Sequence, residues 1–264
     1  MSLPSLLLVG CGKMGGALWQ GWLERGLAPS VILDRRCEAP PAPHRVVRRP
    51  EDIPADFKPD IIVLAVKPAG MEEALSSLHP FLDGTILISM LAARTIDSLR
   101  AACHEASTRI VRAMPNTPAA IGKGVTGVCS PDLDEKGRSL CTALLSAVGD
   151  VAWVGNEEQL EALTPISGCG PAYVFLLAEL LEKEALRVGL PAETARLIAR
   201  GTVSGAGALL EASPEESETL RKNVTSPNGV TAKALEVLMA PDAWPAAMTE
   251  AVDKAMARSR EMAS

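Results

Sequence analysis

The apolar positions fall into two regimes that meet near residue 156. Before that point, short continuous apolar runs alternate with stretches of helical spacing. Leu6–Val9 is apolar throughout and stops at Gly10, the pattern of a strand buried on both faces of a parallel sheet. Residues 31–33, 61–66, 85–89, 109–113, 125–129 and 148–154 are further strand candidates. Helical spacing separates several of them, over 14–25 with Gly26 as C-cap, over 71–82 and over 134–147. Such alternation predicts an α/β fold with a doubly wound, mainly parallel sheet.

After residue 156 no convincing strand pattern remains. Residues 171–188 form one long helix, apolar nearly all round over 172–181, which predicts burial on every side, in a core or between subunits. Residues 190–211 form another helix, opened by Pro191 at an N1-like position. It contains Gly201, Gly205 and Gly207. Each costs ~1 kcal/mol against alanine in a helix interior, a cost that close packing would offset. Ser213-Pro214-Glu215-Glu216 reads as a helix start, 225–229 as a turn, and 230–238 and 244–259 as helices. The expected division is an α/β domain over 1–158 and an all-α domain over 159–264.

The 264 residues suffice for one or two domains with a sizeable core. Aromatics make up 3%, so that core rests on Ala, Leu and Val. The net charge of −6 argues against general nucleic-acid binding, which needs a cationic face. A local cationic pocket remains compatible with it. Six cysteines (Cys11, Cys37, Cys103, Cys129, Cys141, Cys169) include no CxxC pair, and the three histidines are scattered, so no zinc pattern is present. The N-terminal apolar run lacks a basic flank and is too short to span a bilayer. The expectation is a cytoplasmic protein with reduced thiols, bound to no membrane.

Gly10-Cys11-Gly12-Lys13-Met14-Gly15 follows a strand pattern and opens a helical one. Gly10 permits a tight turn, Gly12 lets a pyrophosphate approach the backbone, and Gly15 lets the helix pack on the strand. The helix start supplies amide donors for phosphate. This places a Rossmann-type dinucleotide site on the first domain. Asp34 ends the second strand and is followed by Arg35 and Arg36. A carboxylate here suits the ribose hydroxyls of NAD, and the arginines suit the 2′-phosphate of NADP. The reading leans to NADPH, with NAD also usable. Ala65-Val66-Lys67-Pro68 ends a buried strand on the ligand side of such a sheet, where Lys67 would reach a ribose or phosphate.

Three later motifs complete an ordered set. Met114-Pro115-Asn116-Thr117-Pro118-Ala119 follows a strand, Ser167-Gly168-Cys169-Gly170-Pro171-Ala172-Tyr173 opens the long apolar helix, and Asn223-Val224-Thr225-Ser226-Pro227-Asn228-Gly229-Val230-Thr231 lies between late helices. With the glycine loop and Ala-Val-Lys-Pro, the set resembles the pyrroline-5-carboxylate reductase family over nearly the whole chain.

The resemblance implies reduction of a cyclic imino acid by NAD(P)H to give L-proline, and a homo-oligomer built on the helical domain. It implies that Thr231 bonds the ring nitrogen, and that Ser226, Gly229 and Val230 hold the substrate carboxylate. Val66, Lys67, Asn116, Pro118 and Asn223 match cofactor contacts. Three positions depart from the family: Asn228-Gly229-Val230 replaces two glycines and a small residue, Ala93 stands where a glycine is expected, and Cys169 replaces serine. Asn tolerates left-handed backbone, so the turn can survive.

Two other functions fit the same fold. A β-hydroxyacid dehydrogenase would need a helical lysine as general acid–base, with Lys183 and Lys222 as candidates. A regulator that binds the dinucleotide without catalysis is the other. Ser226 and Thr231 also have an ordinary use as helix caps or turn formers.

Overall fold

The computed structural model describes residues 3–104 and 107–263. Two compact units emerge, one formed by the chain through Cys169 together with the segment from Met256, the other by Gly170–Ala255.

The first unit is built on eight strands: β1 (Leu6–Val9), β2 (Val31–Leu33), β3 (Arg45–Val47), β4 (Ile61–Leu64), β5 (Ile86–Ser89), β6 (Arg109–Met114), β7 (Gly124–Cys129) and β8 (Gly149–Trp153). Their order is β3-β2-β1-β4-β5-β6-β7-β8. All neighbours run parallel except β6 and β7, so the mainly parallel doubly wound sheet is found. Alternation along the strands sends side chains to two cores. Leu6 and Leu8 join one with Ile61, Val63 and Trp22. Leu7 and Val9 join the other with Ile62, Leu64 and Leu75. Helices α1 (Lys13–Glu24), α2 (Met71–Ser77), α3 (Ile96–Cys103), α4 (Glu135–Ser146) and α5 (Glu157–Leu163) accompany the strands. The Trp22 indole N–H, fully buried, donates to the Leu144 carbonyl at 2.9 Å and fastens α1 to α4.

Local signals decide where these helices begin and end. Gly26 takes the left-handed conformation (φ 77°) past α1, and its N–H bonds the Leu23 carbonyl. Asp134 caps α4 by accepting from the Gly137 N–H. Some expectations need correction. The helix expected over 71–82 stops at Ser77 and continues as a 3₁₀ turn, His79–Phe81, because Pro80 cannot donate to an α-helical ladder. Strand pairing of β4 ends at Leu64, before Ala65-Val66. β3 has no counterpart in the hydrophobic pattern; at three residues on the sheet edge, its Arg45 is exposed.

The second unit is helical: α6 (Gly170–Arg187), α7 (Ala192–Ala212), α8 (Ser217–Asn223), α9 (Val230–Leu238) and α10 (Trp244–Ala263), whose last residues belong to the first unit. α6 and α7 pack on one another through small side chains, with Ala185, Ala195 and Ala199 buried. Pro191 precedes α7 as its N-cap residue rather than occupying its first turn. Ser213 closes α7 instead of opening α8, which begins at Ser217. Its hydroxyl is occupied locally, accepting from the Glu215 N–H. Within the chain α6 is not buried on every side: Phe175 is 66% exposed and Leu176 52%. At Gly201, Gly205 and Gly207 a Cβ would meet open space, so no packing within the chain explains them.

Candidate cofactor and substrate sites

The strand order reverses between β1 and β4, and ligands of such sheets bind beyond the carboxyl ends of the strands at that point. The chain leaves β1 there through Gly10, at φ 93°. A Cβ on Gly10 would lie 2.8 Å from the Ala65 carbonyl oxygen, and one on Gly15 would collide with the Gly10 carbonyl. Both glycines are therefore required by the chain's own backbone. Gly12 differs, since a Cβ there would touch nothing in the protein. It borders open space, where a pyrophosphate would approach. The N-terminus of α1 has no side-chain cap and no acidic residue in its first turn, so its amides are available to an anion. The residues present fit a dinucleotide.

Asp34 does more than mark the strand end. Its Oδ2 accepts from the Cys11 N–H at 2.8 Å, and its Oδ1 accepts from Arg36 N–H at 2.7 Å and Cys37 N–H at 2.8 Å. Burial pushes its pKa up, but these three donors and the Arg48 charge outweigh burial and leave it below the usual carboxylate value. The carboxylate thus ties the glycine loop to the loop after β2.

A cleft of about 520 Å³ runs from Gly10 past Asp34, with Arg35, Arg36, Arg48 and Arg49 along it and Val66 on its wall. Arg35 reaches Glu73 at 3.7 Å with both side chains exposed, a weak pair. Arg48 donates to the Asp34 carbonyl at 2.9 Å. Arg48 and Arg49 escaped the sequence reading because they follow β3, whose pairing with β2 brings them beside Asp34. Five arginines within residues 35–49 were the available signal. Lys67 is exposed and leads into the 3₁₀ turn Pro68–Gly70.

Asn116 is buried, and its side chain is engaged within the first unit. Its Oδ1 accepts from Val125 N–H, and its Nδ2 donates to the Ser167 carbonyl, both at 2.9 Å. That bond joins two of the motifs read in the sequence. Pro118 lies in the 3₁₀ turn Thr117–Ile121, which packs against α1. Ser167 belongs to a π-turn, Thr164–Gly168, closed by the Cys169 N–H on the Thr164 carbonyl.

The remaining candidates all lie in the helical unit. Asn228 adopts φ 55°, so asparagine supplies the left-handed backbone at this turn. The Gly229 N–H is used inside that turn, on the Ser226 carbonyl. α9 then begins without any side-chain cap, so neither Ser226 nor Thr231 serves as its cap. The amides of Val230 and Thr231 are left for an anion beside the exposed Ser226 and Thr231 side chains. Val230 is 90% exposed within the chain. Asn223 ends α8 and donates to Glu215 at 3.1 Å.

Strand order and glycine cradle define a class, the dinucleotide-dependent oxidoreductases built on a Rossmann domain. Comparison with known proteins narrows it. Residues 157–262 match the family described as pyrroline-5-carboxylate reductase dimerisation, and residues 5–93 match one described as NADP oxidoreductase, coenzyme F420-dependent. The pyrroline-5-carboxylate reductase of Haemophilus influenzae is 33% identical over 97% of both chains. That of Pseudomonas aeruginosa is 33% identical over 100% of this chain and 98% of its own. A solved pyrroline-5-carboxylate reductase from Coxiella burnetii superposes with TM-score 0.91 at 29% identity, covering 99% of each chain. The Plasmodium falciparum enzyme with NADP bound gives 0.84 at 28%, with both chains covered in full. The chain belongs to the pyrroline-5-carboxylate reductase family.

The lysines a β-hydroxyacid dehydrogenase would require are engaged at the surface. Lys183 pairs with Glu179 at 2.6 Å and Lys222 with Glu218 at 2.9 Å, each side chain more than half exposed.

Proposed function

We infer that the protein reduces the C=N bond of Δ1-pyrroline-5-carboxylate to L-proline with hydride from NAD(P)H, the last step of proline biosynthesis. The observation that carries this reading is the Ser226–Thr231 loop, which keeps its left-handed turn and its uncapped helix start despite the Asn228 and Val230 substitutions. The bound nicotinamide supplies the hydride, and the protein supplies positioning. Ser226 and the Val230 and Thr231 amides hold the substrate carboxylate, with Gly229 shaping the turn. The Thr231 hydroxyl donates to the ring nitrogen, where electron density builds as the imine carbon is reduced. No strong general base is needed.

For the cofactor, Gly10, Gly12, Lys13, Met14 and Gly15 cradle the pyrophosphate. Asp34, Arg35 and Arg48 border the adenosine end, and Ala65 to Pro68 the central ribose. Asn116 acts by holding the Pro118 loop near the nicotinamide, while Asn223 reaches a cofactor bound to the partner subunit. The arginines favour NADPH, and NADH remains usable. The functional division falls at 158/159, which keeps the helical run from Glu157 with the second domain apart from its first two residues. An 18-residue stretch within the run Glu157–Arg187, with mean hydropathy 1.2, is apolar enough to cross a membrane by composition. The match to a dimerisation family supports a second copy of this chain as the cover of its exposed face. The reading is of a cytoplasmic enzyme that binds no membrane and no nucleic acid.

The test is loss of nicotinamide absorbance on mixing the protein with DL-pyrroline-5-carboxylate, with NADPH and NADH in parallel and proline as the product. Thr231→Ala should lower kcat by about 100-fold, the scale of one positioned proton donor, with cofactor affinity little changed. Undiminished turnover in that variant removes Thr231 from the mechanism. Cofactor binding without imine reduction would favour the regulator.

A further inference from the structure

Cys11 and Cys37 stand 26 positions apart, and their sulfurs lie 3.1 Å from each other. One carboxylate sets that distance, because Asp34 accepts the Cys11 N–H on one oxygen and the Cys37 N–H on the other, each at 2.8 Å. Both residues are half-buried, whereas Cys103, Cys129 and Cys141 are shut away in the cores. A disulfide bond is about 2.05 Å long, so closure asks the two sulfurs to approach by roughly 1 Å. Cys11 lies between Gly10 and Gly12, in the loop read above as the pyrophosphate cradle.

We propose that Cys11 and Cys37 form a thiol–disulfide switch whose closure weakens binding of the nicotinamide dinucleotide. The oxidant is a low-molecular-weight disulfide such as glutathione disulfide. The Cys37 thiolate attacks one glutathione sulfur, the glutathione S–S bond breaks, and one glutathione thiolate leaves. The Cys11 thiolate then attacks the Cys37 sulfur and expels the second glutathione thiolate. Two protein thiols lose two protons and two electrons, and one glutathione disulfide becomes two thiols. Cys37 starts the exchange, since burial, the hydrogen bond to Cys37 and the nearby negative charges push the Cys11 thiol up to about 12. Capping Cys37 with glutathione removes that thiol's charge and its hydrogen bond, two of the influences that hold Cys11 protonated before the second step.

The loop has little room to absorb the movement. Gly10 already abuts the Ala65 carbonyl, and Gly15 abuts Gly10. Displacement of Cys11 therefore passes to the Gly12 and Lys13 amides. A shift on the order of 1 Å in such a cradle should lower NADPH affinity about tenfold. By linkage, NADPH must then favour the dithiol by the same factor, a shift of about 30 mV for a two-electron couple.

The experiment uses the full chain, equilibrated in glutathione redox buffers, with alkylation, peptide mapping and NADPH fluorescence titration of both forms. The expected result is a Cys11–Cys37 disulfide, an affinity about tenfold lower than that of the dithiol, and recovery with dithiothreitol. Cys11→Ser should stop at the Cys37–glutathione adduct, and Cys37→Ser should titrate identically before and after oxidant. Free thiols at both positions after oxidation, or an adduct on Cys37 that never closes in the parent protein, overturns the proposal. A disulfide that leaves NADPH affinity unchanged overturns it as a switch. The proposal rests on the glycine loop being the dinucleotide site. If the dithiol protein bound no NADPH at all, that reading would fail, and the switch with it, while the mapped disulfide would still stand as chemistry.

Discussion

In the sheet unit the side chains of Leu6, Leu7, Leu8 and Ile61 are wholly shut off from water, whereas in the helical unit Phe175, Leu197 and Val237 stand 66%, 72% and 69% exposed. Both units are rich in apolar residues, so composition does not separate them. The strands are covered on two faces by helices of the same chain, and each covered Leu or Ile contributes about 1.5–3 kcal/mol. In the helical unit the buried hydrophobics among the described residues are alanines, which leaves the larger side chains without full cover inside the chain. The open space at Gly201, Gly205 and Gly207 repeats the pattern, since small residues placed for close approach have nothing of their own chain to approach. One unit completes its core alone and carries the glycine loop. The other leaves its core unfinished within the chain, in the region that matches a dimerisation family.

The comparison can be broken most sharply at α6. Replacing Phe175 and Leu180 together by aspartate should abolish the oligomer and with it turnover. NADPH binding to the sheet unit should fall far less. Light scattering and NADPH titration measure the two effects, and an intact oligomer in the double variant would mean that this face is not the one covered. A core change in the other unit gives the contrast. Leu7→Ala should cost about 2–5 kcal/mol in denaturant unfolding. In a midpoint series over protein concentration, that penalty should persist at every concentration, while the α6 defect should grow on dilution.

Smaller effects sharpen the picture of the sheet unit. Arg48→Ala should lower the preference for NADPH over NADH by about tenfold, the loss of one charged contact to phosphate. Equal losses for both cofactors would show instead that Arg48 acts only by holding the loop at Asp34. The smallest effect concerns Ala93, where the resemblance leads one to expect glycine and the backbone is at φ 59°. An alanine held there costs about 1–2 kcal/mol, so Ala93→Gly should stabilise the protein by about 0.5–1 kcal/mol after the entropy cost of glycine. A thermal midpoint that rises by a few degrees checks it; a fall would show that the backbone there is not strained.

Legibility followed the range of the interactions. β1, β4 and α1 could be read because runs of apolar residues, Gly26 and the G-x-G-x-x-G spacing act within a few residues of one another. The break of the helix at Pro80 is also written locally, since proline cannot donate to the helical ladder. β3 was not legible, for a three-residue edge strand acquires its identity from the strand it pairs with. Arg48 and Arg49 went unseen for the same reason.

Two groups show how far local reading reaches. Asp34 was recognisable as an acid at a strand end, but its bonds to the Cys11 and Cys37 amides span the turn of the first βαβ unit. The cysteines read as unrelated thiols until the fold set two of them in contact. By itself the sequence determined the alternation of strands and helices, the glycine cradle, the ordered family motifs and the apolar excess of α6, since each depends on spacing along the chain. The tertiary structure alone decided which arginines share a cleft, that the Asn116 side chain is engaged internally, that Cys11 meets Cys37 and that the α6 surface lacks cover within its own chain. Those outcomes depend on which distant segments pack together, and burial and contact are properties of that packing.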